Sequence, residues 1–333
     1  MPSDLESRFH SFITGLPHAE SIDSLLAGPE FDGEKRADYL VFDRQVIIEL
    51  KSLEVDTSPK VEKELASHRD RDDFPLIYGA VELQKILKHL PDGGQINQRI
   101  FNSTTRSIED GARSAAKQLQ NTARLLNLPN AMRVLVLLNQ DINILAPDAA
   151  IARLSPLMCR TDAAGNTTST IDFAWLIFES HSIAEGPATI NMPTILLEGP
   201  RAPDTPWFIE MFEKLQTAWA TFNKHPLVRI SAESFSELTV LSTSSCQSPR
   251  DGQRLTRHEY WEKCYAQHPY LRTLSDAQVL ERGAVAIDAL APYFLMGGPR
   301  LPPEQLEPLT VAWSDFLCEA RYRGLDLRKL PKA

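Results

Sequence analysis

The stretch Val46-Ile47-Ile48-Glu49-Leu50 constrains the fold more than any other part of the chain. Side chains alternate between the two faces of a strand, so a run that is apolar at consecutive positions needs cover on both sides and belongs inside a sheet. Ala37 to Phe42 and Gln45 to Leu50 are rich in Tyr, Val, Phe and Ile, and Asp43-Arg44 stands between them, which predicts a hairpin. Glu49 closes the apolar run. A carboxylate at that point predicts a charged group at the edge of a buried sheet, where a site can open.

The surrounding segments predict what covers that sheet. Ser3-Asp4-Leu5-Glu6 reads as an S-x-x-E capping box, and Leu5, Phe9, Phe12 and Ile13 recur at helical spacing up to Gly15 and Pro17. A short helix is expected from about Ala19 to Ala27. Further helices are expected from Ser58-Pro59, over Val81 to Leu90, and over Ile108 to Leu126, whose Ile108, Ala112, Ala115, Leu119, Thr122 or Ala123, and Leu126 follow the 3.6-residue period. Met132 to Leu138, Ile171 to Glu179 and Ala188 to Leu197 predict strands, the first of them central and parallel. This alternation of helix and strand predicts an α/β sheet.

Beyond the Pro-rich joint at 199–206 the pattern changes. Trp207 to Phe222, Arg257 to Gln267, Ser275 to Leu295 and Pro308 to Arg321 read as amphipathic helices, and Ser242 to Arg254 as a loop. The expected organisation is one domain over residues 1–200, with an insertion over about 55–107, followed by a mainly helical region over 205–333.

Composition narrows the function classes. The 333 residues are 43% hydrophobic and 24% charged, enough for one large domain or two medium ones. The first residues mix Asp4, Glu6, Arg8 and His10 with apolar positions, so no signal peptide is expected, and no apolar run is long enough to span a bilayer. Cys159, Cys246, Cys264 and Cys318 are scattered without a CxxC pair, which predicts thiols in a reducing, cytoplasmic setting. The eight histidines show no motif pairing, and neither a G-x-S-x-G nor a Walker A sequence is present.

The net charge of −9 argues against non-specific coating of nucleic acid, yet charge is uneven along the chain. Between Lys85 and Arg133 eight basic residues (Lys85, Lys88, Arg99, Arg106, Arg113, Lys117, Arg124, Arg133) stand against three acidic ones (Asp92, Glu109, Asp110), a local +5. Such clustering predicts a phosphate-binding face, with a solvated helix surface as the competing reading.

Chemistry concentrates at Asp38, Glu49 and Lys51. A two-residue spacing puts Glu49 and Lys51 on one face of their strand, and a short turn can bring Asp38, 11 residues earlier, beside Glu49. Mg²⁺ takes one or two carboxylates, waters and a substrate phosphate. Asp38 and Glu49, with the Leu50 carbonyl, could supply such a site. Lys51 could then orient an attacking water or neutralise charge on a pentavalent phosphate. A salt-bridge cluster at a strand end is the structural alternative.

Asp38 and Glu49-Leu50-Lys51 on a hairpin, behind a capped helix and ahead of a second helix and a strand, resemble the core of the PD-(D/E)xK, or restriction-endonuclease-like, nucleases. The resemblance covers roughly residues 1–180 and implies a mixed central sheet flanked by helices, with a site that hydrolyses phosphodiester bonds using Mg²⁺ or Mn²⁺. It implies Asp38 and Glu49 as metal ligands and Lys51 as a catalytic residue. Glu6 is a further ligand candidate, with Glu20 its competitor and the helix cap its structural alternative. Gln118, in Lys117-Gln118-Leu119, fits the polar position that the family's second helix turns towards its site. Ala37 stands where the family name has proline, and roughly 55 residues separate Lys51 from the long helix where a compact member has few.

The expected function is therefore a metal-dependent nuclease, acting on DNA before RNA. Arg113, Lys117 and Arg124 are the candidate phosphate contacts, and the C-terminal helices are a candidate surface for substrate, a protein partner or a homodimer. The alternative is a nuclease-like fold without activity that serves as a nucleic-acid- or protein-binding module.

Overall fold

The computed structural model describes residues 4–28, 33–79, 81–164, 168–185, 188–228, 239–242, 257–294 and 301–331. The loop expected from Ser242 to Arg254 lies outside these residues except for Ser242, as does Cys246. In chain order the main elements are α1 (Leu5–Thr14), β1 (Glu20–Ser21), α2 (Ile22–Leu25), β2 (Tyr39–Val41), β3 (Val46–Leu53), α3 (Ser58–Ala66), α4 (Leu83–Leu87), α5 (Gly93–Thr104) and α6 (Arg106–Leu125). They continue with β4 (Met132–Asn139), α7 (Pro147–Met158), β5 (Phe173–Phe178), β6 (His181–Glu185), β7 (Ala188–Asn191), β8 (Thr194–Glu198), α8 (Pro206–Phe222), β9 (Thr239–Ser242), α9 (Arg257–Gln267), α10 (Asp276–Phe294) and α11 (Pro303–Arg323). The chain is α/β, with a mixed six-stranded sheet flanked by helices and a helical C-terminal part. It divides into two compact units, Met1–Pro59 with Asn102–Arg254, and Lys60–Phe101 with Leu255–Ala333.

The first unit holds the sheet, in the order β1-β2-β3-β4-β5-β8. β3, β4 and β5 run parallel, and β1–β2, β2–β3 and β5–β8 pair antiparallel. The double-sided apolar pattern of β3 and β4 is satisfied by cover on both faces. On one face Leu40, Ile47, Leu135, Leu137 and Leu176 pack against Ala112, Ala115 and Leu119 of α6 and Ala150 and Leu154 of α7. On the other, Tyr39, Ile48, Val134, Val136 and Trp175 pack against Phe9 and Phe12 of α1 and Phe208, Phe212 and Trp219 of α8. Each large apolar side chain buried in this way contributes on the order of 2 kcal/mol. α8, placed in the C-terminal region on sequence grounds, is thus a layer of the sheet domain.

Two local expectations change. α1 is capped by Asp4, whose side chain accepts a hydrogen bond from the Ser7 backbone N–H, so Glu6 has no part in the cap. Asp in that position offers the same acceptor chemistry as Ser, and starting the helix one residue later moves the reciprocal partner out of register. The turn between β2 and β3 spans Phe42 to Gln45 rather than two residues, with Phe42, Asp43 and Arg44 all at positive φ. A second, three-stranded antiparallel sheet has the order β7-β6-β9.

The second unit joins the segment expected as an insertion to the C-terminal helices. Leu87, Leu90, Ile96 and Ile100 form one apolar cluster with Val61, Leu65 and Phe74, and Val279, Leu280, Phe316, Ala320 and Leu325 form another. Polar ties join the two. Lys88 Nζ donates to the Arg323 carbonyl at 2.6 Å, His89 Nε2 to the Gly324 carbonyl at 2.7 Å, and the Leu76 N–H to Asp326 Oδ1 at 3.0 Å. A β-carbon at Gly283 of α10 would stand 2.3 Å from the Phe316 ring of α11, so this close helix approach depends on glycine. Among the described residues no helix is long and apolar enough to cross a membrane.

Candidate active site

The register of the hairpin brings the two carboxylates together. Tyr39 pairs with Ile48 in antiparallel β2 and β3, so the next pair outward is Asp38 opposite Glu49. The Asp38 N–H donates to the Ile48 carbonyl at 3.0 Å, and the Leu50 N–H donates to Asp38 Oδ2 at 2.7 Å. The Asp38 carboxylate is thereby fixed beside the middle of β3, which does not end at Glu49 as its apolar run suggests but continues to Leu53. Residues directly opposite in such a pair share a face. For Asp38 and Glu49 it is the face of Leu40 and Ile47, covered by α6.

Glu49 is 1% exposed. Burial, and then the nearby charge of Asp38, push its pKa up to about 8 against the pull of Lys51. Asp38 is also raised, by burial first, with the Leu50 N–H and the charge of Lys51 opposing. Glu49 Oε1 lies 2.5 Å from Lys51 Nζ, while Glu49 Oε2 is buried with no partner but the Asp38 carboxyl, which it meets in a hydrogen bond only when one of the two carries a proton. Buried carboxylate oxygens are almost always paired, because an unpaired one costs about 1–3 kcal/mol or more.

Lys51 is gripped from the helix side. Its Nζ donates to Gln118 Oε1 at 3.1 Å, the Gln118 oxygen also accepts from Ser114 Oγ at 2.9 Å, and Gln118 Nε2 donates to the Arg36 carbonyl at 2.9 Å. Glu49 and Gln118 occupy two of the ammonium's three donors and leave the third for a water or an anion.

The same helix laces down the extended segment leading into Asp38. Asn121 Nδ2 donates to the Lys35 carbonyl at 2.8 Å, and the buried Thr122 Oγ1 accepts from the Ala37 N–H at 2.8 Å. Asn121 and Thr122 lie one turn beyond Gln118, so the three side chains share a face of α6. Sequence reasoning placed Thr122 in an apolar stripe and missed Asn121. The available signal was that three amide or hydroxyl side chains follow one another at this spacing.

The other expected residues are placed differently. Glu6 Oε2 accepts from Ser52 Oγ. Ser52 is next to Lys51 on β3 and therefore points to the opposite face, towards α1 rather than α6. Glu20 forms a two-pronged pair with Arg44 at 2.8 and 2.7 Å. The continuous basic face expected from Lys85 to Arg133 is not assembled. Lys85 pairs with Glu262 at 2.6 Å, Arg99 with Glu64 at 2.7 Å and Arg133 with Asp172 at 3.1 Å, while Lys88 caps the Arg323 carbonyl. Counting charge along the chain missed these partners, which folding brings in from distant segments. Arg106, Arg113, Lys117 and Arg124 remain exposed on α6; Arg113 pairs with Glu109 at 2.5 Å within its own helix.

Among the described residues no group of three His, Cys, Asp or Glu side chains converges as a metal site. Two carboxylates do converge, and one carries a buried oxygen with no partner but the other. Mg²⁺ takes one or two protein carboxylates, the rest of its shell coming from water and substrate phosphate, so Asp38 and Glu49 fit such an ion. Cys159, Cys264 and Cys318 are free thiols.

Two stability measurements follow from this geometry. Thr122→Val keeps the shape but leaves the Ala37 N–H buried and unpaired; chemical denaturation should show a loss of about 1–3 kcal/mol. Glu49 binds its proton more tightly folded (pKa about 8) than unfolded (about 4.5), so its contribution is complete below about pH 4.5 and is lost as pH rises through 8. In chelator at pH 8, Glu49→Gln should therefore melt higher than wild type, with the gap closing towards pH 5. An equal or lower melting point at pH 8 would show that the buried carboxylate carries no strain.

Set beside protein-family models, curated proteins and solved structures, the chain matches none of them, so the chemistry of its site is read from its own geometry.

Proposed function

We propose that the chain is a divalent-metal-dependent nuclease that hydrolyses phosphodiester bonds in DNA, on a sheet of the restriction-endonuclease-like kind. The observation that carries the reading is the buried Glu49 carboxyl, whose Oε1 is tied to Lys51 and whose Oε2 has no partner but the adjacent Asp38 carboxyl and a shared proton. A natural chain keeps a strained, desolvated carboxylate chiefly where it does chemistry.

In this reading Asp38 and Glu49 hold Mg²⁺ or Mn²⁺. When bound, the ion supplies Lewis acidity towards a phosphoryl oxygen and acidifies a coordinated water. The protein's own groups do the rest. Glu49 fixes Lys51 Nζ along one face of β3, and Gln118 holds it from α6. The remaining N–H of Lys51 points a hydrogen bond at the attacking water or at the charge growing on the phosphate. The water oxygen forms the new P–O bond and gives up a proton to solvent, the ester P–O bond breaks, and the departing alkoxide takes up a proton from solvent. Arg113, Lys117 and Arg124, exposed on the helix that holds Lys51, would meet the phosphate backbone.

A second reading, a binding module without activity, is favoured by the net charge of −9 and by the lack of a third converging ligand among the described residues. One experiment separates the two. Purified protein is incubated with supercoiled plasmid, linear duplex and single-stranded DNA in Mg²⁺ or Mn²⁺. Wild type should cut at least one of them, and Glu49→Ala and Lys51→Ala should each lose about a hundredfold or more. Binding without cutting, by wild type and variants alike, would favour the module.

A further inference from the structure

Between α6 and the segment that precedes Asp38 lies a depression of about 440 Å³, lined by Gly33, Glu34, Lys35, Lys117, Asn121 and Arg124 among others. Three of these side chains are cationic and one is anionic. The anion is engaged: Glu34 Oε2 accepts from Asn121 Nδ2 at 2.8 Å. Arg124 stands 4.0 Å from the same oxygen. Lys35 and Lys117 are exposed and make no ion pair among the described residues, unlike most of the basic residues between Lys85 and Arg133. An open, concave surface with two unneutralised lysines attracts an anion, since the charges reinforce one another across the hollow.

The position of the depression says which anion. Lys35 leads through Arg36 and Ala37 directly into Asp38, and Lys117 immediately precedes Gln118, which holds Lys51. Both walls of the hollow are therefore continuous with the carboxylate site, and the hydrogen bonds of Gln118, Asn121 and Thr122 clamp one wall to the other. From Lys117 to Arg124 the helix rises about 10 Å, long enough to follow a polyanion past the site rather than to enclose a single ion.

We propose that this depression seats a phosphate of the nucleic-acid strand next to the one being cut, with Lys35, Lys117 and Arg124 as its cations. It rests on the nuclease reading for the identity of the strand. Lys35 is its new member, and it makes the segment before Asp38 part of the substrate surface. The seat sets which stretch of backbone runs across the carboxylates, and it acts without touching the reacting atoms.

The test measures binding apart from cleavage. A short fluorescein-labelled oligonucleotide, single-stranded or duplex, is titrated in chelator against full-length wild type, Lys35→Gln/Lys117→Gln/Arg124→Gln, and Lys214→Gln as a control on α8. The triple variant should bind about tenfold or more weakly, and the slope of log affinity against log salt should fall by about two to three. Lys214→Gln should match wild type. Charge reversal at Lys35 alone, Lys35→Glu, should weaken binding further than Lys35→Gln, and thermal melting checks that each variant folds. Competition with inorganic phosphate distinguishes a strand from a free ion: the oligonucleotide should be displaced only at far higher concentrations. Unchanged affinity and salt slope in the folded triple variant would overturn the seat, whether or not wild type cuts DNA. Loss of affinity in that variant, with a wild type that never cuts, would keep the seat and remove the nuclease.

Discussion

The antiparallel register of β2 and β3 is the constraint on which the rest of the site depends. Pairing Tyr39 with Ile48 leaves Asp38 opposite Glu49, on the face that α6 covers. A slip of one residue would turn Glu49 to the other face and break the pair. The slip is opposed by the whole apolar pattern of the hairpin: Tyr39, Val41 and Ile48 are buried on one side, and Leu40 and Ile47 on the other. Hydrophobic burial thus fixes side by side two carboxyl groups that would repel each other if both were ionised.

α6 completes what the hairpin begins. Its apolar stripe lies on the sheet, and its polar stripe of Ser114, Gln118, Asn121 and Thr122 binds the chain entering Asp38 and the ammonium of Lys51. One helix therefore supplies cover for the core, a rigid hold on one carboxylate's strand, and the orientation of the cation beside the other. The result is a pair of carboxyls each held by its own hydrogen bonds, with both pKa values raised by burial. Sites that keep such strain do so because the surrounding structure over-determines it.

Much of this was legible in the residues themselves. The central strands, the long helix and the hairpin follow from apolar periodicity, which reports burial directly. The Glu49-x-Lys51 spacing places the two side chains on one face by strand geometry alone. Other features were not legible, for identifiable reasons. The cap of α1 was read as Ser3 with Glu6 because Ser and Asp are interchangeable acceptors there; Asp4 takes the role and Glu6 meets Ser52 instead. The basic stretch from Lys85 to Arg133 looked continuous because partners such as Glu262 and Asp172 lie far away in sequence. The joining of residues 60–101 to the C-terminal helices depends on side-chain to backbone bonds, such as His89 to the Gly324 carbonyl, which leave no periodic trace.

The central claim is that Asp38 and Glu49 would hold a cation in place of the proton that the buried pair otherwise shares. Isothermal calorimetry of Mn²⁺ binding to the full-length chain tests it most directly. Wild type should bind the ion with release of a proton near neutral pH, because Glu49 must give up its proton to take a metal. Asp38→Asn and Glu49→Gln should each abolish that binding while remaining folded. A wild type that binds no Mn²⁺, or variants that bind it as wild type does, would contradict the account.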